Sequence, residues 1–114
     1  MELKTRKDLM NILSKNPGLI FLKLGATWCK PCELINDIVD ETFNKMPTNV
    51  LCFKIDVDES FDLYAFLKTK KMVQGIPTIL CYYKDNESYV PDDSVSGTDT
   101  NLLHNFFKQS LEAL

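Results

Sequence analysis

Two cysteines separated by two residues, Cys29 and Cys32, have the types and spacing that could support redox chemistry. A thiol attacks a disulfide only as the thiolate, and an ordinary cysteine with a pKa of about 8.5 is mostly protonated at neutral pH. The pair lies where a buried strand passes into an amphipathic helix, and the unpaired amides at a helix N-terminus stabilise an anion. Pro31 suits the first turn of that helix because its missing N–H would have no partner there. We therefore predict thiol–disulfide exchange, in which Cys29 attacks and the more buried Cys32 resolves the mixed disulfide.

A structural zinc knuckle is the alternative interpretation of the same pair. Structural zinc normally has four ligands, usually from two cysteine pairs. The chain contains four cysteines and one histidine, His104, but Cys52 and Cys81 each stand alone in an apolar run. The sequence therefore favours redox chemistry. It predicts no metal and no cofactor, because the two sulfur atoms carry the electrons themselves.

The elements that position the dithiol follow from the hydrophobic pattern. Apolar periodicity and turn residues predict these elements in order: a helix capped by Thr5 and Asp8 and ending at 16–18, a strand at 19–24, a helix at about 30–45, a strand at 50–57, a helix near 61–68, a strand at 78–83, an edge strand near Val95 and a helix near 102–111. The early alternation favours parallel β-α-β units, and the last segment is free to return antiparallel.

The helix after the dithiol has a predicted apolar face. It consists of Leu34, Ile35, Ile38, Val39 and Phe43. This face is expected to pack on the sheet. The spacing of Phe61, Tyr64, Ala65 and Lys68 predicts the next helix, which closes before Gly75.

Composition narrows the class of protein. The chain has 114 residues, of which 45% are hydrophobic and 25% charged, and this fits a single soluble domain over residues 1–114. A net charge of -3 argues against nucleic-acid binding. The N-terminal segment has no apolar stretch of signal-peptide length, and the run at 19–24 is too short to span a bilayer. We expect a monomer in a reducing compartment, the cytoplasm, without membrane attachment.

Several segments resemble the thioredoxin family. The segment Gly25-Ala26-Thr27-Trp28-Cys29-Lys30-Pro31-Cys32 resembles its active site, and Lys54-Ile55-Asp56-Val57-Asp58-Glu59 resembles its third strand. Gly75-Ile76-Pro77-Thr78 resembles its cis-proline loop, and Gly97 falls where a family glycine lines the substrate groove. The resemblance implies an α/β thioredoxin fold in one domain, with a central mixed sheet of four to five strands flanked by four helices. It also implies a cis bond between Ile76 and Pro77 and a docking surface made by Trp28, Lys30, Pro31, Ile76, Pro77 and Gly97.

The resemblance also implies a function. A family member of this kind reduces disulfides in client proteins, and a separate reductase restores its dithiol. Two alternatives remain open at this point. In the first alternative, the chain is an interaction or chaperone-like module with an incidental dithiol. In the second, it is an enzyme that works in the opposite direction, as an oxidase or isomerase.

Lys23 departs from the family pattern, which places an aspartate six residues before the first cysteine. Alternation along the strand puts Lys23 on the face of Phe21. The lysine has three fates: it pairs with a carboxylate such as Asp56 or Glu33, it reaches the surface, or it stays buried with a lowered pKa. The first two are favoured because an unpaired buried charge is costly. Lys23 is also a candidate proton-handling residue for Cys32, as a cation beside its thiolate or as an amine that accepts its proton.

Two further expectations concern the other cysteines and Lys30. In the implied strand order Cys52 and Cys81 lie about 10 Å apart, on strands separated by one other, so we expect them to be buried and inert. Lys30 occupies the position of a common family glycine. As a solvated cation beside Cys29 it stabilises the thiolate by about 0.3–1 kcal/mol, which makes the protein slightly more oxidising.

Overall fold

The computed structural model of the protein describes residues 2–114, which form a four-stranded mixed sheet flanked by four helices. The helices are α1 (Arg6–Leu13), α2 (Lys30–Asn44), α3 (Phe61–Thr69) and α4 (Thr100–Glu112). The strands are β1 (Leu19–Gly25), β2 (Val50–Asp56), β3 (Thr78–Tyr83) and β4 (Asp93–Ser96). The α/β architecture expected from the sequence is confirmed, including the edge strand around Val95.

The central strand of the sheet is β1, which ends four residues before the first cysteine of the pair. The strand order is β2-β1-β3-β4. β1 runs parallel to β2 and antiparallel to β3, and β4 pairs antiparallel with β3 at the edge. All seven residues of β1 are buried, as its nearly continuous apolar run predicts. Within residues 2–114 only the β1–β2 pair is parallel, and β3 lies on the other side of β1.

Alternate residues of β1 contribute to two hydrophobic clusters on opposite faces of the sheet. Ile20, Leu22 and Leu24 belong to the cluster that contains α1 and α3. Leu19 and Phe21 belong to the cluster under α2 and α4. The ring of Phe21 is fully buried and packs against three other phenylalanine rings at centroid distances of 5.3–6.0 Å: Phe43, Phe106 and Phe107.

The predicted apolar face of α2 is partly wrong. Leu34 is 72% exposed, whereas the buried residues are Cys32, Ile35 and Val39. Successive helical residues are rotated by about 100°, so Leu34 points away from the face that positions 32, 35 and 39 share. The sequence places apolar residues on both sides of this face and does not show which side the sheet covers.

The predicted helix near residues 61–68 is confirmed as α3, and the structure shows which of its faces is buried. Leu63 and Leu67, four residues apart, are the buried residues of this helix. Phe61 is 69% exposed and Lys68 is exposed. The large aromatic residue suggests a core position, but the Leu63–Leu67 spacing defines the face that packs on the sheet.

The start of α1 matches its sequence prediction. The backbone N–H of Asp8 donates to the Thr5 hydroxyl at 3.1 Å, and the Asp8 carboxylate accepts the backbone N–H of Thr5 at 3.1 Å. This reciprocal capping box satisfies donors that have no partner inside the helix. Within residues 2–114, no helix is both long enough and apolar enough to cross a membrane.

Candidate active site

The N-terminus of α2 holds the two cysteines next to each other. Cys29 is the N-cap residue, and the backbone N–H of Cys32 donates to the Cys29 sulfur at 3.2 Å. The Cα atoms are 5.3 Å apart and the sulfur atoms form a disulfide bond. The predicted redox pair is therefore present in its oxidised form.

The two sulfur atoms differ in what they face rather than in exposure. Cys29 and Cys32 are 4% and 2% exposed, so the predicted difference in burial is small. The Cys29 sulfur lies 4.0 Å from the carbonyl oxygen of Ile76, on the side of the proline loop. The Cys32 sulfur faces inward, where a Cβ atom added at Gly25 would lie 3.4 Å from it. This placement agrees with an outer attacking and an inner resolving sulfur, although the two roles stay predictions.

The loop before β3 forms one wall of a groove beside the dithiol. The Ile76–Pro77 peptide bond is cis, as expected. Gly97 has a φ of 88°, in the left-handed region, and its N–H donates to the Pro77 carbonyl at 3.1 Å. Pro77 and Gly97 thus lie on facing sides of a groove of about 470 Å³, which is also lined by Lys71, Met72, Gln74, Gly75, Ile76, Ser94 and Ser96.

The predicted docking residues fall into two groups. Ile76, Pro77 and Gly97 line this groove. Trp28, Lys30 and Pro31 are exposed around the cysteines but do not line it. A client contacting both groups would therefore cover Cys29, and the docking role of all six residues stays a prediction.

Trp28 has a partner that the sequence analysis missed. Its indole ring is 65% exposed, and its N–H donates to the Asp58 carboxylate at 2.7 Å. Trp28 follows β1 and Asp58 follows β2, and parallel strands bring their carboxyl ends to the same edge of a sheet. The predicted strands at 19–24 and 50–57, if parallel, already indicate that Trp28 and Asp58 lie at the same edge of the sheet.

Lys23 does not adopt either of its two favoured fates, which corrects the sequence prediction. It is 6% exposed, so it does not reach the surface. Its amine donates to the side-chain amide oxygen of Asn36, not to Asp56 or Glu33. Burial lowers the pKa of Lys23, the nearby Asp40 carboxylate opposes this, and Lys54 adds to the lowering. Within residues 2–114, Lys23 is thus buried without a carboxylate partner, as in the third fate.

Asn36 and Asp40 are the functional candidates that sequence reasoning missed on α2. They follow Cys32 at intervals of four residues, which places all three near one face of the helix. The Asp40 carboxylate pairs with the Lys54 amine at 2.6 Å. The available signal was a polar residue at each turn after the second cysteine, next to the buried positions Ile35 and Val39.

Cys52 and Cys81 are free thiols within residues 2–114, and each is the register partner of Phe21 on a strand flanking β1. Two strand spacings separate them by about 10 Å, so they cannot form a disulfide without moving the backbone. Cys81 is buried, but Cys52 is only half-buried, which corrects the expectation for that residue. Burial raises the pKa of Cys52 to about 12 and that of Cys81 to about 11, so neither forms a thiolate at neutral pH.

Comparison with known proteins places this arrangement among related chains. A family model described as Thioredoxin matches residues 1–109. A thioredoxin of Coprinus comatus is 30% identical over 105 residues, which cover 91% of this chain and 92% of that protein. The chloroplastic M-type thioredoxin of Pisum sativum is 34% identical over 79% of this chain but only 46% of its own length.

A solved structure of a Plasmodium falciparum thioredoxin is similar throughout. It is 28% identical with a TM-score of 0.72, and the match covers 96% of this chain and 84% of that one. The first curated relatives are longer proteins: the chain spans 41% of a chloroplastic thioredoxin M3 of Oryza sativa and 58% of a Plasmodium falciparum thioredoxin 3.

Proposed function

Because this chain belongs to the thioredoxin family, we propose that it is a thiol–disulfide oxidoreductase that reduces disulfide bonds in client proteins. The observation that carries the proposal is the Cys29–Cys32 disulfide at the N-terminus of α2, next to the cis Ile76–Pro77 bond. A fold alone would not support an activity, but a reactive pair at a helix N-terminus does.

The geometry supports a two-step exchange. The Cys29 thiolate attacks one sulfur of the client disulfide, whose other sulfur leaves as a thiolate. The Cys32 thiolate then attacks the Cys29 sulfur, the bond between Cys29 and the client breaks, and the Cys29–Cys32 disulfide forms. Two electrons pass to the client, and a separate reductase supplies two electrons to restore the dithiol.

The N-terminus of α2 makes the first step favourable. The N–H of Cys32 points at the Cys29 sulfur, and the positive end of the helix dipole lies at the same position. Both features stabilise negative charge on Cys29. The neighbouring carbonyl of Ile76 marks the side from which an extended client segment would approach.

Insulin reduction tests the proposed activity. With dithiothreitol as electron donor, the wild-type protein is expected to accelerate the precipitation of reduced insulin chains. Cys52→Ser is the matched control, because it removes a thiol whose high pKa excludes it from exchange, and its rate should equal that of the wild type. A wild-type rate no faster than dithiothreitol alone would favour the interaction-module alternative.

Lys30 is expected to tune the direction of the reaction. Its side chain is exposed beside Cys29, so a cation there favours the thiolate and hence the reduced form. Lys30→Gly should therefore lower the reduction potential by about 6–20 mV, measured by equilibration with a glutathione redox buffer. The difference should shrink at high salt, where a surface charge is screened. A higher potential in the variant would contradict this assignment.

We also propose that the protein acts as a monomer in the cytoplasm, on client proteins that carry accessible disulfides. The requirement for a reduced dithiol supports a reducing compartment. Some relatives are chloroplastic, so fractionation of cells that produce the protein is the direct measurement. Light scattering of the purified protein measures its oligomeric state.

A further inference from the structure

The buried amine of Lys23 and the sulfur of Cys32 share a cavity. The cavity has a volume of about 280 Å³ and opens to solvent, and Lys23, Cys32 and Asn36 all contribute to its lining. Lys23 enters it from β1 and Cys32 from α2. A volume of this size holds several water molecules, whose individual share of liquid volume is about 30 Å³. The cavity therefore offers a path for a proton between the two side chains.

Among residues 2–114, no carboxylate forms a direct ion pair with the amine of Lys23. From α2, Asn36 accepts its hydrogen bond, while Asp40 pairs with Lys54. From β2, Lys54 is its register partner and places a second cation beside it. Asp56, the other acidic residue lining the cavity, accepts backbone N–H groups of residues 58 and 59. From β3, the register partner is the apolar Ile79.

The surroundings of Lys23 contribute in opposite directions to the balance between its neutral amine and its ammonium form. Burial and the neighbouring Lys54 cation disfavour the ammonium, and the Asn36 oxygen together with the more distant Asp40 favours it. The disulfide carries no charge, so in the oxidised protein nothing at Cys32 attracts the extra proton. A thiolate at Cys32 in the reduced protein would attract it strongly, because the interior screens charges poorly.

We propose that Lys23 is the proton partner of Cys32 and that Asn36 positions its amine in the shared cavity. The proposal rests on the proposed function, because it concerns the resolving step of that reaction. Lys23 gains a proton when the Cys32 thiolate is generated and releases it when the disulfide re-forms.

The proton balance of the resolving step is as follows. The Cys32 thiol gives its proton, through water in the cavity, to the neutral amine of Lys23. The resulting thiolate attacks the Cys29 sulfur, the bond between Cys29 and the client breaks, and the electron pair leaves on the client sulfur. The ammonium of Lys23 then loses its anionic neighbour and returns its proton to water, from which the client thiolate is protonated.

The direct test compares the titration of Lys23 in the two redox states. The Cε resonance of a ¹³C-labelled lysine reports its protonation, and Lys23→Met identifies the Lys23 signal by its loss. We expect this signal to titrate at a lower pH in the disulfide form than in the dithiol form. Identical titrations in the two forms would overturn the proposal, and this measurement uses the wild-type protein.

The kinetic test isolates the resolving step. Ellman's reagent reacts with the reduced protein, releasing one thionitrobenzoate when Cys29 attacks and a second when Cys32 resolves. The rate of the second release is measured from about pH 5 to about pH 9. In Lys23→Met its pH midpoint should move upward by about one unit, which makes resolution about tenfold slower at neutral pH.

Two further variants separate a proton role from a general effect. Lys45→Met is the matched control: it removes one lysine from α2's end, where Lys45 pairs with Glu41 on the surface, and should not move the midpoint. Asn36→Asp keeps Lys23 but places a carboxylate against its amine, so it should also move the midpoint upward. Superimposed profiles for wild type, Lys23→Met and Asn36→Asp would overturn the proposal. Absence of the first release in the wild type would instead contradict the proposed function.

Discussion

Replacing Cys29 with serine is expected to abolish insulin reduction, lowering the rate by a factor of about 10³ or more. Cys29 is the N-cap residue of α2, and its sulfur accepts the Cys32 N–H and faces the Ile76 carbonyl. A serine hydroxyl fits the same position and cap but does not ionise at neutral pH. The variant should therefore keep its fold and lose only the first chemical step.

Cys32→Ser should behave differently and thereby separates the two sulfur roles. It retains Cys29, so it should attack a client and stop at the mixed disulfide, which electrophoresis without reductant would detect. Cys29→Ser should capture no client. If Cys29→Ser instead accumulated the mixed disulfide and Cys32→Ser did not, the assignment of attacking and resolving sulfur would be reversed.

Phe21→Ala is expected to destabilise the protein by about 3–5 kcal/mol. The ring is fully buried on β1 and contacts three other phenylalanine rings between the sheet and the helices α2 and α4. Loss of the ring leaves a cavity in a cluster that the rigid sheet prevents from collapsing. Urea denaturation followed by circular dichroism measures the free energy of unfolding.

The control for this prediction is another phenylalanine in a different environment. Phe61 is 69% exposed at the start of α3, so Phe61→Ala should change the free energy of unfolding by less than about 0.5 kcal/mol. Equal effects of the two substitutions would contradict the proposed core. A loss below about 1 kcal/mol for Phe21→Ala would also contradict it.

Much of the fold was predictable because its signals are local. The run at 19–24 is apolar except for Lys23, which identified β1, and the Thr5–Asp8 box identified the start of α1. The dithiol was equally clear, because its cysteines, Pro31 and the helix that follows are adjacent in the chain. The pairing of β3 with β1 was not predictable from alternation alone, since strand direction depends on where the chain crosses the sheet.

The surroundings of Lys23 were harder to predict because they depend on three elements. The lysine was assigned to the correct face of β1, but its partner was sought among carboxylates. Asp40, the carboxylate on the facing helix, is taken by Lys54 from the next strand. Competition between two cations for one anion is a property of the packed structure, and a single sequence shows only that the charges exist.

The position of β1 between two hydrophobic clusters has a consequence for how the molecule opens. Each cluster depends on alternate residues of the same strand, so neither layer of helices keeps its packing surface once β1 leaves the sheet. Thermal unfolding is therefore expected to be a single cooperative transition. Backbone amides of β1 should exchange their hydrogens only through complete unfolding, whereas those of the edge strand β4 should exchange through smaller openings. The reactive pair is thus attached to the part of the molecule that opens last.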